Sequence, residues 1–143
     1  MDFGALIVAS ARSQLGVPFS LGGGGIKGPS VGVNAANTTS VVGFDSTGLA
    51  QYAVFQATGW AIGRTADAQW ADAQCQHVPV EQAKAGDLLF RFDAGVVGKL
   101  SEVGVISDFP HRRMITVTAE TKKVLEVAIS AEGVASEVAR CSP

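Results

Sequence analysis

Long apolar runs, histidine and an excess of basic residues are scarce or missing in this chain of 143 residues. No stretch approaches the roughly 20 apolar residues of a membrane-spanning helix, so no membrane span is predicted. Eleven Lys and Arg residues stand against thirteen Asp and Glu residues, which gives a net charge of −2. Because no basic excess is available to neutralise a phosphate backbone, nucleic acid is not an expected partner.

Motifs that bind phosphates, dinucleotides or metals are also missing. The chain has no GxxxxGK[ST] sequence, and its glycine run at 22–25 lacks the GxGxxG spacing between a strand and a helix. The two histidines, His77 and His111, have no Cys or His neighbours at ligand spacing. The sequence therefore predicts neither a metal ion nor an organic cofactor.

The N-terminus and the cysteines bear on the compartment. The first residues lack the positively charged segment and the long apolar segment of a signal peptide. The two cysteines, Cys75 and Cys141, are too few for a disulfide scaffold or a zinc cluster. They form either one bridge from the middle of the chain to its C-terminal tail or two free thiols, and the sequence leaves both open.

The chain does contain enough apolar residues to form a core, since 47% of it is hydrophobic and 17% is charged. Length and composition predict one folded domain over residues 1–143. Seventeen glycines are present. Several of them fall in a Gly/Ser/Asn-rich stretch that predicts a long loop over residues 20–43, a length typical of functional or disordered loops.

Three helices are predicted in the first half of the chain. Apolar residues at helical spacing predict a helix over residues 2–15, ended by Gly16 and Pro18. The pattern predicts a second helix at Ser46–Thr58. Asp45 is its expected N-cap, and Gly59 is expected to end it. A short third helix over residues 65–75 begins at Thr65 and places Asp67 in its first turn.

After Gly86 the pattern changes to short runs of Val, Ile, Leu and Phe separated by turn signals. Helices followed by a series of strands indicate an α+β fold, with N-terminal helices packed on an antiparallel sheet of about five strands. The predicted strands are 88–92, 103–106, 114–119, 124–129 and 134–138.

One segment carries chemical information. Asp45, Ser46 and Thr47 place a carboxylate cap and two hydroxyls at a helix start, where the helix dipole stabilises negative charge. That position suits a nucleophile. Ser46 and Thr47 could equally be ordinary residues of a first helical turn.

The segment Asp45-Ser46-Thr47-Gly48-Leu49 resembles the nucleophile motif of the NlpC/P60 family of cell-wall peptidases, in which a catalytic Cys follows the Asp. The resemblance runs in order from residue 4 to about residue 120, and it implies a papain-like fold. The insertion over residues 28–43 is similar to that of a group of secreted mycobacterial peptidoglycan proteins in this family. The matching segments are residues 11–24, 45–49, 64–69, 86–90, 101–106 and 114–116.

Four positions depart from the family's pattern. Ser46 stands where the family has its nucleophilic Cys, and Glu102 stands where it has the His base. Thr116 occupies the third polar position, and Phe19 replaces a Tyr. A serine hydroxyl needs a positioned general base, and a carboxylate near pKa 4.3 is a weak base for an alcohol. We therefore expect a peptidase fold that has lost its activity.

The resemblance implies a non-catalytic domain that binds the stem peptide of peptidoglycan, secreted to the cell wall, with other cell-wall proteins as further partners. Asp45 and Glu102 are expected to favour a cationic group of the ligand. Two alternatives remain open: a hydrolase that uses Ser46, and a protein-interaction module that uses the 20–43 loop. The expected ligand-binding residues are Phe19, Asp45, Ser46, Arg64, Asp67 and Glu102.

Overall fold

A computed structural model of the chain describes residues 1–33 and 41–143. It contains three α-helices, α1 (Phe3–Arg12), α2 (Ser46–Thr58) and α3 (Ala66–Trp70), and one 3₁₀ turn at Val80–Gln82. A two-residue pair, β1 (Ser30–Val31) with β2 (Val42–Gly43), lies within the predicted 20–43 loop. The remaining strands are β3 (Gln76–Pro79), β4 (Leu88–Phe92), β5 (Leu100–Asp108), β6 (Arg113–Thr116), β7 (Leu125–Ala128) and β8 (Val134–Arg140).

Strands β3 to β8 form one antiparallel sheet of six strands in the order β3-β8-β4-β5-β6-β7. The α+β fold class is confirmed, and the sheet has six strands rather than five. The additional strand is β3. Only Val78 of its four residues is buried, so the apolar alternation that identifies a strand in sequence is absent.

The predicted bounds of helix α2 are confirmed. Both of its ends have strong local sequence signals. The Asp45 carboxylate accepts a hydrogen bond from Gly48 N–H, and Gly59 adopts a left-handed conformation with φ 78° at the C-terminus. Helix α1 is shorter than predicted. It ends at Arg12, and the following turns lead to Gly16, whose N–H donates to the Val124 carbonyl.

Helix α3 is also shorter than the predicted 65–75. Thr65 caps it as expected, but the helix ends at Trp70. The Asp72 carboxylate accepts hydrogen bonds from Gly63 N–H and Gln74 N–H, which hold the chain in a turn. Cys75 then forms a disulfide with Cys141, so the structure contains the bridge and not two free thiols.

The core lies on both faces of the sheet. Helix α1 packs on α2, and α2 and α3 contact β5. On the helical face the largest buried side chains are Phe44, Phe90, Ile7 and Leu49. A smaller cluster around Leu89, Ile106 and Val138 covers the opposite face. This packing places the N-terminus of α2 against β5. Among the described residues, no helix combines the length and the apolar character needed to cross a bilayer.

Candidate functional site

An open cleft of about 510 Å³ lies where the start of α2 meets one end of the sheet. Four of the six predicted ligand-binding residues line it: Phe19, Asp45, Ser46 and Glu102. Arg64 and Asp67 do not. Arg64 points towards the glycine loop, and Asp67 is exposed on α3. The segment between β6 and β7 and the end of β4 complete the lining.

Asp45 and Arg64 hold the glycine loop against the start of α2. Their carboxylate and guanidinium form an ion pair of 2.9 Å, and the other carboxylate oxygen of Asp45 accepts from Gly22 N–H. The guanidinium also donates to the carbonyls of Gly23 and Gly24. Because both charges are paired with each other, these two residues position the loop.

Gly48 belongs to the same arrangement. A Cβ atom at this position would clash with the carbonyl oxygen of Gly23 and would lie 3.0 Å from the Arg64 guanidinium. Only glycine allows the loop to approach the helix this closely. The glycine of the sequence motif therefore has a packing role.

Ser46 and Thr116 both bond to the backbone of Val103. The buried Ser46 Oγ accepts a hydrogen bond of 3.2 Å from Val103 N–H. Thr116 Oγ1 donates a hydrogen bond of 3.0 Å to the Val103 carbonyl. The two hydroxyls thus hold a single residue of β5 from both sides, directly after Glu102 in the chain.

Glu102 lines the cleft beside Ser46 but forms no hydrogen bond with it among the contacts of the described residues. Burial raises the pKa of the Glu102 carboxyl, the Arg91 charge lowers it, and the Glu120 charge raises it again. Arg91 lies opposite Glu102 in the register of β4 and β5. Its guanidinium, however, donates to the carbonyls of Glu132 and Ser130.

Ser46 and Glu102 line the cleft, and Thr116 contacts the backbone of Val103, which follows Glu102 in the chain. The cleft contains a hydroxyl at a helix start and a nearby carboxyl. A general base must lie within hydrogen-bond reach of the proton that it removes, and no base has that contact with Ser46 Oγ among the described residues. Thr116 Oγ1 donates to a backbone carbonyl.

Neither histidine lines this cleft. The His77 ring stacks on Trp70 with centroids 4.0 Å apart, and its Nε2 lies 2.7 Å from the Trp70 carbonyl oxygen. His111 lies 2.8 Å from the Asp108 carboxylate. In the part of the chain that the structure describes, no group of three or more His, Cys, Asp and Glu side chains is arranged to hold a metal ion.

Sequence reasoning missed Glu120, Arg91 and Phe92, all of which line the cleft. Arg91 could have been found by pairing the predicted strands 88–92 and 103–106 as antiparallel neighbours, because it lies opposite Glu102 in that pair. Glu120 follows β6 in an irregular turn, and no periodic pattern identifies it.

The helices, the antiparallel sheet and the cleft at the start of the central helix define a papain-like α+β domain. Residues 16–137 match the model of the NlpC/P60 family. The chain therefore belongs to the NlpC/P60 family, whose relatives include peptidoglycan hydrolases.

Sequence relatives include the peptidoglycan endopeptidase RipB of Mycobacterium tuberculosis, which is 45% identical over 84 residues, 59% of this chain and 33% of RipB. Protein P54 of Enterococcus faecium is 39% identical over 92 residues, 64% of this chain and 14% of P54. The match therefore spans about a third of the length of RipB and less of P54.

Two solved structures from M. tuberculosis are similar in fold. The RipB structure has a TM-score of 0.83 at 32% identity and covers 99% of this chain and 65% of that chain. The RipD structure has a TM-score of 0.80 at 30% identity and covers 98% of both chains. RipD is described as a non-catalytic NlpC/p60 domain protein adapted to peptidoglycan binding.

Proposed function

We propose that residues 1–143 form one non-catalytic domain that binds peptidoglycan stem peptides in the cleft, secreted and acting at the cell wall. The observation that carries this proposal is the environment of the Ser46 hydroxyl, meaning its hydrogen bond and the titratable side chain at the expected base position. Its hydroxyl accepts from Val103 N–H, and its neighbour at the expected base position is the carboxyl of Glu102. The similarity to RipD over 98% of both chains supports the same conclusion.

The loss of a nucleophile–base unit lowers the rate of a hydrolase by about 10⁴- to 10⁶-fold, whereas binding uses the walls of the cleft. Apolar side chains remain exposed along the walls of the cleft. Leu21 is 54% exposed and Phe92 is 40% exposed at its edges. Such side chains bury apolar area when a peptide enters.

The test combines retention on insoluble peptidoglycan with mass spectrometry of muropeptides after incubation. We expect the protein to sediment with peptidoglycan and to produce no new cleavage products. Leu21→Ala should reduce retention severalfold, because it removes a wall of the cleft. The matched control is Leu15→Ala, since Leu15 is 47% exposed and does not line the cleft.

Protein left in the supernatant would refute peptide binding and favour a protein-interaction module. Cleavage products that are absent with Ser46→Ala would instead identify a serine hydrolase. Equal loss of retention with Leu21→Ala and Leu15→Ala would place the binding surface outside the cleft.

A further inference from the structure

The face of the sheet opposite the helices carries a second open cavity, of about 390 Å³. It shares no lining residue with the cleft at the start of α2. We propose that this cavity binds an aliphatic carboxylate, with the carboxylate on the Arg112 guanidinium and the alkyl chain between the cavity walls. This site goes beyond the proposed function, because it lies on the other side of the sheet and uses no residue of the cleft.

The walls of the cavity consist mainly of apolar side chains, and none of the described α-helices contributes to them. Leu89 of β4 is buried at this face, whereas Ile129 and Val134 are only partly buried. The volume falls in the range of small-molecule sites, about 300–1,000 Å³. An apolar ligand would remove the partly buried side chains from water, which favours its binding.

Arg112 differs from the other arginines of the chain in how few of its donors are used. Two of the others donate to backbone carbonyls outside their own turns. Among the described residues, the only hydrogen bond from the Arg112 guanidinium runs 3.2 Å from Nη1 to the Phe109 carbonyl. A guanidinium carries several N–H donors, so Arg112 keeps donors for a ligand at the edge of the cavity. The arginines paired with carboxylates are Arg12, Arg64 and Arg140.

The Arg112 side chain is also held in position by the protein itself. Its guanidinium carbon lies 3.9 Å from the centroid of the Phe109 ring, a cation–π contact. The backbone of Arg112 has φ 55°, a left-handed conformation that is unfavourable for a residue with a Cβ atom. Its N–H donates to the Phe109 carbonyl, and its carbonyl accepts from Ile129 N–H, which fixes that conformation. A fixed side chain loses little conformational entropy when it binds an anion.

The other charged groups of this region favour an anion with a single charge. The carboxylate of Asp108, at the end of β5, lies 2.8 Å from His111 Nδ1 and is engaged there. Glu81 lines the cavity and is exposed. Its charge repels a phosphate dianion more strongly than a carboxylate. The planar guanidinium of Arg112 matches a carboxylate through two parallel hydrogen bonds.

The scarcity of polar side chains on the cavity walls favours an alkyl chain over a peptide. Besides Arg112 and Glu81, the described lining contains one polar side chain, that of Ser136. Peptide groups are unfavourable in such surroundings, because burial without hydrogen-bond partners costs free energy. A methylene chain has no such requirement. The ligand class is therefore a fatty acid of medium chain length.

The probes are octanoate, octanol and octylamine, which combine the same alkyl chain with a negative, a neutral and a positive end. Amide chemical shifts of isotope-labelled protein report the affinity and the location of each probe. We expect octanoate to shift the amides of Leu89, Arg112 and Ile129 and not that of Glu102. Octanoate should bind about tenfold more tightly than octylamine, because only the anion forms charge-assisted hydrogen bonds with the guanidinium.

Variants at position 112 assign the effect to the guanidinium. Arg112→Asn removes it, and asparagine tolerates the left-handed backbone. This variant should bind octanoate about tenfold more weakly and octanol with nearly unchanged affinity. Arg112→Lys keeps the charge without the planar fork and should lose about threefold. The matched control is Lys84→Gln, which removes a positive charge from an exposed position outside the cavity.

Two further variants test the cavity walls. Ser136 is an exposed residue of β8, so Ser136→Phe should fill the cavity and weaken both octanoate and octanol. Glu81→Gln removes the repelling charge and should strengthen octanoate about twofold, since the carboxylate is exposed. Circular dichroism confirms that each variant is folded.

Unchanged octanoate affinity in Arg112→Asn would overturn the proposal, and so would an equal loss in Lys84→Gln, because the effect would then come from net charge. Chemical shift changes confined to the cleft, or none at millimolar octanoate, would also overturn it. Tighter binding of an apolar dipeptide than of octanoate would replace the alkyl acid with a peptide C-terminus. Retention on peptidoglycan is measured separately, so none of these outcomes refutes the proposed function.

Discussion

At the scale of single residues, the backbone of Val103 joins two side chains of the site. Ser46 accepts from its N–H group, and Thr116 donates to its carbonyl. A hydroxyl in this position is far less acidic than a thiol, whose unperturbed pKa is about 8.5. The reactivity of the Ser46 hydroxyl therefore depends on the side chain at position 102, which lines the same cleft.

The first prediction places a thiol at position 46. Ser46→Cys should give a cysteine whose pKa falls by about one to three units when Glu102→His is added, because a nearby cation replaces a nearby anion. The pH dependence of iodoacetamide alkylation measures both values. The native cysteines do not interfere, since Cys75 and Cys141 are joined.

The control for this prediction is Ser130→Cys, which places a thiol at an exposed position between β7 and β8, with and without Glu102→His. Its pKa should be the same in both backgrounds. If the pKa of the thiol at position 46 is also unchanged by Glu102→His, the two side chains do not share the cleft. Cleavage of muropeptides by the double variant would show that the remaining architecture still supports hydrolysis.

The second prediction concerns the Glu102 carboxyl and stability. Its pKa is raised in the folded state, chiefly by burial. The folded protein therefore binds more protons than the unfolded chain between the two pKa values, and stability falls as pH rises through that window. Glu102→Gln should stabilise the domain at pH 7 by less than about 1 kcal/mol, since the group is partly exposed.

Urea denaturation at several pH values tests this sign. The gain from Glu102→Gln should shrink towards zero below about pH 4, where the carboxyl is protonated in both states. Glu81→Gln provides a comparison in which the carboxyl is exposed. A variant that is less stable than the parent at pH 7 would mean that a cation inside the protein already neutralises Glu102.

At the scale of elements, what the sequence predicts correctly depends on local signals. The bounds of α2 could be predicted because Asp45 and Gly59 mark its ends. Strand β3 could not, because only one of its four residues is buried, and its pairing with β8 joins parts of the chain that are distant in sequence. The disulfide at Cys75 belongs to the same long-range class.

Among the site residues, too, those with a local sequence signal could be predicted, and those that depend on long-range contacts could not. Ser46, Glu102 and Asp45 could be aligned with the family motif, and the structure places them in one cleft. The pairing of Arg64 with Asp45 could not be predicted, because their contact depends on how the glycine loop folds back. Glu120 reaches the cleft from a turn that has no sequence pattern.

The third prediction concerns the loop that Arg64 holds. Arg64→Ala removes the ion pair with Asp45 and hydrogen bonds to two loop carbonyls and to Thr47 Oγ1. We expect a loss of about 2 kcal/mol in the free energy of unfolding, because charge-assisted bonds in a partly buried network are lost. Thermal or urea denaturation measures the loss.

Limited proteolysis gives the local readout for the same variant, with faster cleavage within residues 20–43 than in the parent. Lys27→Ala is the control, since Lys27 is an exposed cation of the same loop. Arg64→Lys should recover only part of the stability, because an ammonium cannot reproduce the planar fork of a guanidinium. Unchanged proteolysis of Arg64→Ala would show that other contacts hold the loop.

At the scale of the whole molecule, one covalent bond joins distant parts of the chain. The disulfide between Cys75 and Cys141 connects the segment after α3 to the tail after β8, with 66 residues of sequence separation. In the chain-entropy description, closing a loop of that length lowers the entropy of the unfolded state. The folded state is thereby stabilised by about 4 kcal/mol. Such bonds persist in oxidising compartments, which agrees with the proposed location.

The fourth prediction removes this bond. Replacing both cysteines with alanine should lower the free energy of unfolding by about 4 kcal/mol, and excess dithiothreitol should lower that of the parent by a similar amount. Urea denaturation followed by tryptophan fluorescence measures both. Dithiothreitol should leave the double alanine variant unaffected. A parent protein that is insensitive to the reductant would contradict a stabilising role for the bond.

The two hydroxyls on Val103 have a consequence for the evolutionary history of the domain. Under the proposed function, a return to hydrolysis needs new side chains at positions 46, 102 and 116, and two of the present ones support the backbone of the same residue. Each single replacement at position 46 or 116 disturbs that support before the proposed catalytic set is complete. For the non-catalytic domain proposed above, selection acting on one substitution at a time therefore works against a gain of hydrolysis.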